Sequence, residues 1–327
     1  MHAIQVVDRG KIRHVEAPAP TLQPGHVLVS PLLIALCGSD VHTLYYLRDE
    51  DYPRPIGTAG HEVIARVQAV DAPGSSLRPG DLVLALCPPE DAVRELFLTR
   101  AENALPLPNG RPPEHFLMGQ QLGTVIYASK RLPSLLGKNV AVIGQGSAGL
   151  FFDAVCRRLG AQRVIGIDVK PARVAAALKM GATHAINNAE QDPLQAVMEI
   201  CGGQLADVVI EASGEVETIN LTPRLVRTYG TLLFFGVPRA ERLELDFYAF
   251  WRKYCTTITI AGAGNEPGLV SFRQALDWIA RGEIDVSPLL THRIPLAQAE
   301  RAYDLAYTRD DGAIKVVIEM PAYRDRP

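Results

Sequence analysis

Three residue types that can hold a divalent cation stand in two short stretches of the chain. Cys37 opens Cys37-Gly-Ser39-Asp40-Val-His42, and Gly60-His61-Glu62 begins 23 residues after that cysteine. Thiolate, imidazole and carboxylate are each competent zinc ligands, and three protein ligands leave one position open, as a catalytic site needs. Plainer readings stay open on spacing alone. A lone cysteine can pack as a small hydrophobe, and His61-Glu62 can be a surface pair.

A second constellation is built from glycine. Gly144-Gln-Gly146-Ser147-Ala148-Gly149 follows the apolar run Val140–Ile143 and opens a helical stretch. The first glycine permits a tight turn, the second lets a pyrophosphate approach the backbone, and the third lets helix and strand pack closely. The helix start then offers free N–H groups to phosphate. Asp168 ends the next strand, 19 residues past Gly149. A carboxylate there accepts from ribose hydroxyls and repels a 2′-phosphate, which favours NAD over NADP. Lys170 and Arg173 lie close enough in sequence to soften that preference. The bland alternative is a glycine-rich turn with an ordinary strand-end aspartate.

The elements that must position these residues change character along the chain. The N-terminal third has short apolar runs (His26–Val29, Val63–Val70, Asp81–Leu86) after turn signals, and reads as a small β barrel or sandwich. From Asn139 onward, strands at Val140–Ile143, Arg163–Ile167, His184–Ile186, Asp207–Ile210, Thr231–Phe235 and Thr257–Ile260 alternate with helical stretches. That alternation predicts an α/β fold with a doubly wound parallel sheet. After Gly264 two helices, Leu269–Arg281 and Leu296–Thr308, precede a last strand, Gly312–Met320.

Composition removes several classes of function. Of 327 residues, 47% are hydrophobic and 21% charged, and the net charge of −3 gives no footprint for nucleic acid. Apolar runs are too short to span a membrane, and no signal peptide is visible at the N-terminus. Five cysteines, widely spaced and without a CxxC pair, argue against a disulfide framework. A reducing, cytoplasmic setting is expected.

The chain resembles the zinc-dependent medium-chain alcohol dehydrogenases, in particular the sorbitol and threonine dehydrogenase branch. The likeness runs through Cys37-Gly-Ser-Asp-Val-His42, Gly60-His61-Glu62, Arg78-Pro-Gly-Asp81, the glycine loop, Glu211-Ala-Ser-Gly214 and Phe235-Gly-Val-Pro238, in that order. It implies a discontinuous GroES-like catalytic domain (1–121 and 267–327) with a Rossmann cofactor domain (122–266) inserted. It implies hydride transfer between NAD and a secondary alcohol or polyol, or the matching ketone. Cys37, His61 and Glu62 would hold a catalytic zinc. Ser39 would take a proton from the substrate oxygen and His42 would pass it on, while Asp40 would orient a ligand imidazole. Ala212, Ser213, Gly236, Val237 and Ala263 would meet the nicotinamide half of the cofactor, and Lys315 its pyrophosphate. The equivalent sixth strands pair across a two-fold axis in this family, so a homodimer or homotetramer is expected.

Two departures stand out. Where relatives carry an acidic residue or cysteine before the cofactor domain, this chain has Gln120-Gln121-Leu122, so Gln120 is a candidate for substrate or the metal's water instead. The four-cysteine lobe that holds a structural zinc in relatives is missing, since Pro88–Leu98 contains no cysteine. One zinc is therefore expected. Tyr45, near the zinc motif, is a candidate pocket residue. Two other readings remain: a zinc-free quinone- or enoyl-type reductase of the same superfamily, and a nucleotide-binding protein without turnover.

Overall fold

The computed structural model describes residues 1–260 and 262–324. The chain divides into two compact units, Met1–Gly123 with Ala263–Pro327, and Thr124–Gly262. The sequence reading put the joints at 121/122 and 266/267.

The chain opens with β1 (His2–Asp8), β2 (Lys11–Glu16) and β3 (His26–Ala35), then α1 (Gly38–Tyr45), β4 (Glu62–Asp71), β5 (Leu82–Leu86), β6 (Phe97–Arg100) and β7 (Ala104–Pro106). Helix α2 (Gly119–Ser129) carries it from the first unit into the second. There β8 (Asn139–Ile143), α3 (Ser147–Arg158), β9 (Arg163–Asp168), α4 (Pro171–Lys179), β10 (His184–Asn187), α5 (Pro193–Ile200), β11 (Ala206–Glu211), α6 (Val216–Leu225), β12 (Val226–Phe234), α7 (Phe247–Trp251) and β13 (Thr256–Thr259) follow. The return to the first unit brings α8 (Val270–Ala280), β14 (Leu290–Pro295), α9 (Ala299–Thr308), β15 (Lys315–Glu319) and α10 (Pro321–Arg324).

In the first unit β1 and β2 form an antiparallel pair, and a larger sheet runs β14-β15-β3-β4-β5-β7, with β6 also paired to β3. The ten residues of β3 are apolar apart from His26 and Ser30. It lies between β4 on one side and β15 on the other, so both of its faces and both edges near its end are covered. Val27, Val29, Ile34, Val63, Ala65, Val83, Ala85 and Ile318 join its core cluster. Removing such aliphatic side chains from water stabilises by about 1.5–3 kcal/mol each, before the entropy of ordering the chain is counted.

The second unit has six parallel strands in the order β10-β9-β8-β11-β12-β13. Strand order reverses between β8 and β11, which makes a crevice outside their carboxyl ends. Pro171 and Pro193 start α4 and α5, where a missing N–H costs nothing.

The observed elements differ from the sequence reading in a few places. The β1–β2 pair, α1, α2 and α7 had no sequence counterpart. The sixth strand, read as Thr257–Ile260, runs over Thr256–Thr259 and is rich in threonine. Strand β12 begins at Val226, before the break that Tyr229 makes with a left-handed φ of 58°.

Candidate functional site

Two strand registers assemble the cation ligands at one end of the first unit's sheet. Ala35 at the end of β3 pairs with Glu62 at the start of β4. Ala35 also pairs with Val317 of β15, and the Leu36 N–H donates to Val316 O at 2.9 Å. Cys37, His61-Glu62 and Lys315 therefore meet, although they come from three separate stretches of the chain.

Cys37 is also the N-cap of α1. The third helical residue, Asp40, reaches back so that the Cys37 N–H donates to its Oδ2 at 2.8 Å. This is the reciprocal half of a capping box. The other oxygen of Asp40 lies 3.2 Å from His61 Nδ1. One fully buried carboxylate thus fixes both the cysteine backbone and the imidazole. With Nδ1 given to Asp40, Nε2 is the nitrogen left for a metal. Burial opposes a charged His61, but the Asp40 carboxylate and the Cys37 sulfur outweigh it and raise its pKa well above the usual imidazole value.

One ligand atom each from Cys37, His61 and Glu62 lie within 4.8 Å of one another. Glu62 is fully buried, and its Oε2 lies 2.7 Å from the Lys315 ammonium. A buried carboxylate is expensive unless a cation pairs with it. The donor set of sulfur, imidazole and carboxylate suits zinc, so these residues fit the metal that the family resemblance implies.

Lys315 stands at the start of β15, beside Glu62. Its ammonium is 1% exposed, donates to Glu62 Oε1 at 2.8 Å and sits 2.7 Å from Oε2. Gln121 Oε1 is 3.4 Å from it. These contacts all lie inside the first unit. Burial works against this ammonium, yet Glu62 and then Cys37 raise its pKa. The glutamine that reaches this group is Gln121, whereas Gln120 is half-buried. Tyr45 is also accounted for by packing: its hydroxyl donates to Asp304 at 2.7 Å and its ring stacks on Tyr307 at 4.2 Å. Ser39 and His42 lie three residues apart on α1, on one face, both partly exposed. The His42 ring stacks on Tyr46.

Sequence reasoning missed Glu90. Residues Cys87–Leu96 join β5 to β6, and Glu90 O accepts from the Ala59 and Gly60 N–H groups at 3.0 and 3.3 Å. Asp40, His61 and Glu90 also place ligand atoms within 4.8 Å of one another. Burial raises the Glu90 pKa. Cys87 Sγ donates to Asp91, which pairs with Arg94 at 2.6 Å, and this network braces the loop against the His61 segment.

The second unit holds the glycine loop between β8 and α3. Gly144 has φ of 91°, a conformation that favours glycine. A Cβ on Gly149 would lie 1.9 Å from Gly144 O, so no larger residue fits there. A Cβ on Gly146 would have only Arg173 Nη1 near it, at 3.7 Å. The second glycine therefore faces open space with a buried guanidinium beside it. Asp168 accepts from the Gln145 N–H at 2.7 Å and the Lys170 N–H at 2.9 Å, which ties the loop to the end of β9. Glu211 accepts from the Ser213 and Gly214 N–H groups and from Thr218 Oγ1. A Cβ on Gly144 would lie 3.0 Å from Ser213, and one on Gly214 would lie 2.0 Å from Val237 O. Gly144, Ala212-Ser213 and Gly236-Val237 thus pack closely at the side of the sheet where the strand order reverses. Ala263 is buried in the first unit.

Comparison with known proteins bears on both halves. An alcohol dehydrogenase GroES-like domain matches residues 23–109 and a zinc-binding dehydrogenase domain matches residues 148–281, together well over half of the chain. The chain belongs to the zinc-dependent medium-chain alcohol dehydrogenase family. It is 28% identical to an alcohol dehydrogenase of Cupriavidus necator, over 98% of each chain. It is 25% identical to the sorbitol dehydrogenase of Bacillus subtilis, over 97% of each. Among solved structures, the alcohol dehydrogenase from Thermus sp. ATN1 superposes with a TM-score of 0.81 at 26% identity, covering 98% of this chain and 100% of that one. Family membership, the GroES-like domain and the Rossmann-type sheet agree with the reading of the motifs.

Proposed function

We propose that the chain is a zinc-dependent dehydrogenase that moves a hydride between NAD and a secondary alcohol or polyol, or the matching ketone. The observation that carries this reading is the convergence of Cys37, His61 and Glu62, whose ligand atoms lie within 4.8 Å of one another. Bound zinc would polarise the alcohol oxygen as a Lewis acid, and the nicotinamide would accept the hydride. Asp40 holds His61 in the tautomer that leaves Nε2 free, and through the Cys37 N–H it holds the cysteine. Ser39 takes the proton from the substrate hydroxyl, and His42, on the same face of α1, passes it toward solvent.

The glycine loop receives the pyrophosphate at the start of α3. Asp168 favours NAD, with Arg173 beside Gly146 as the group that could admit a phosphate. A single zinc is expected, because the β5–β6 connection offers one cysteine, and its sulfur is bonded to Asp91. All five cysteines are free thiols, which supports a reducing, cytoplasmic setting. Among the described residues no helix is long and apolar enough to cross a membrane.

A homodimer or homotetramer is part of this reading. Strand β13 pairs only with β12 among the described residues, which leaves an open edge. Tyr229, Phe247, Tyr248, Trp251 and Tyr254 are exposed beside it. Sedimentation at micromolar concentration should show a dimer or larger species, and a monomer would remove this part.

The test of the reading is metal analysis of protein purified without chelator, with an assay for NAD reduction across a panel of alcohols and polyols. One zinc per chain with chelator-sensitive turnover is expected. Turnover without zinc would support the zinc-free reductase, and tight NAD binding without turnover on any alcohol would support a non-catalytic protein. Ser39→Ala should depress kcat and leave NAD affinity unchanged.

A further inference from the structure

His2 and His14 stand on the two strands of the β1–β2 pair, outside the zinc ligand set. The register sets His2 opposite Glu16 and His14 opposite Ile4, so the two histidines are diagonal neighbours on one face. Their rings stack with centroids 5.2 Å apart, and His2 Nε2 lies 3.0 Å from His14 Nδ1. Each outer nitrogen faces a carboxylate. Glu16 is 3.5 Å from His2 Nδ1, and Glu300 of α9 is 3.7 Å from His14 Nε2. The His2 N–H donates to Glu95 at 2.8 Å, which anchors the backbone of the first histidine.

Two neutral imidazoles bring two protons to four nitrogens. A proton held between the inner pair leaves one outer nitrogen with its lone pair turned to a carboxylate. Both outer nitrogens can donate to Glu16 and Glu300 only when neither inner nitrogen carries a proton, and two lone pairs then face each other across 3.0 Å. A cation between them resolves that conflict. A carboxylate behind the ring is also what orients a metal-bound histidine. The separation selects among ions. With metal–nitrogen bonds of about 2.0–2.1 Å, nitrogens 3.0 Å apart subtend close to a right angle at the metal, whereas tetrahedral zinc needs them about 3.4 Å apart. A right angle belongs to the square-planar or tetragonal coordination that Cu2+ and Ni2+ prefer. The two side chains are 36% and 29% exposed, so an ion can enter and water can complete its coordination.

We propose that His2 and His14 form a second metal site, a two-imidazole clamp for Cu2+ or Ni2+, with Glu16 and Glu300 as positioning residues behind the rings. It goes beyond the dehydrogenase reading and does not depend on it. The test titrates Ni2+, which does not oxidise thiols, into the chain without a polyhistidine tag, after loading with zinc and dialysis. Wild type, His2→Gln, His14→Gln and the double variant are compared by equilibrium dialysis. Wild type should bind one further Ni2+ per chain, more tightly than it binds Zn2+ at the same site. Each single variant should weaken this binding at least about tenfold, and the double variant should lie within about twofold of the weaker single, because losing one imidazole already opens the clamp. Should a variant prove less stable, the rise in Tm on adding Ni2+ is read in its place, present in wild type and absent from the variants. No further nickel in wild type, the same affinity in wild type and variants, additive losses in the double variant, or tighter binding of Zn2+ than of Ni2+ would each overturn the proposal.

Discussion

Asp40→Asn removes one charge and almost no volume from the most connected carboxylate of the metal site. In the native protein Oδ2 accepts from the Cys37 N–H at 2.8 Å and Oδ1 lies 3.2 Å from His61 Nδ1. An amide has one acceptor, so it can satisfy one of these partners only. With its oxygen on Cys37, its NH2 faces Nδ1 and selects the tautomer that carries the proton on Nε2, where the metal should bind. With its oxygen on His61, two donors face each other at Cys37, on a fully buried side chain. A hydrogen bond to a charged group contributes about 1.5–3 kcal/mol. At about 1.4 kcal/mol per decade that corresponds to roughly 10–100-fold, the range seen when a carboxylate behind a metal-bound histidine is lost. Zinc affinity measured by chelator competition should fall by about that factor. NAD affinity, measured by fluorescence titration, should not change, because Asp40 lies in the first unit and the glycine loop in the second. Zinc affinity within about threefold of wild type would refute the view that Asp40 holds His61 and Cys37 in place.

Other outcomes follow from the second unit. Gly149→Ala places a Cβ 1.9 Å from Gly144 O, so the loop must move. NAD affinity should drop at least about tenfold in a binding titration while zinc content stays the same. Asp168→Ser removes the carboxylate that binds the Gln145 and Lys170 N–H groups, and the ratio of kcat/KM for NAD over NADP should fall by about tenfold or more. Asp153 is fully buried in α3 with both carboxylate oxygens unbonded, and burial raises its pKa well above the ordinary value of 3.8. Its folded pKa exceeds the unfolded one, so the folded state is favoured most below the unfolded value and loses that advantage as pH rises toward the folded one. Asp153→Asn cannot ionise, and its Tm relative to wild type should climb between about pH 4 and pH 8. A constant difference in Tm would contradict this.

Much of the fold was legible because its signals are local. The glycine loop, Asp168 and the six strands with the helices alternating between them each sit inside a short window, and their periodicity or spacing needs no partner. The cation site was legible only in part. Cys37, His61 and Glu62 declare themselves by type, but their meeting depends on the register of β3 with β4, which no short window contains. Lys315 shows the limit more sharply. Its partner is 253 residues away, and nothing next to it in sequence marks it as a buried base. Gln120 and Gln121 differ for a simpler reason. Neighbours on a helix point about 100° apart, so choosing between them needs the phase of α2, a helix that its β-branched and glycine-rich sequence hid. Glu90 stands in a left-handed conformation, with φ of 57°, within a turn whose path depends on Ala59 and Gly60.

The pairing of β3 with both β4 and β15 also sets a timetable. Cys37, His61 and Glu62 leave the ribosome before Lys315, which follows Glu62 by 253 residues, after the entire Thr124–Gly262 unit. At synthesis rates of about 5–20 residues per second this is a wait of roughly 10–50 s. During that interval the carboxylate has no ammonium, and a metal ion has no rival for it. Order of arrival would then decide which cation meets Glu62 first, and metal supply during translation becomes a variable in how the finished protein is loaded.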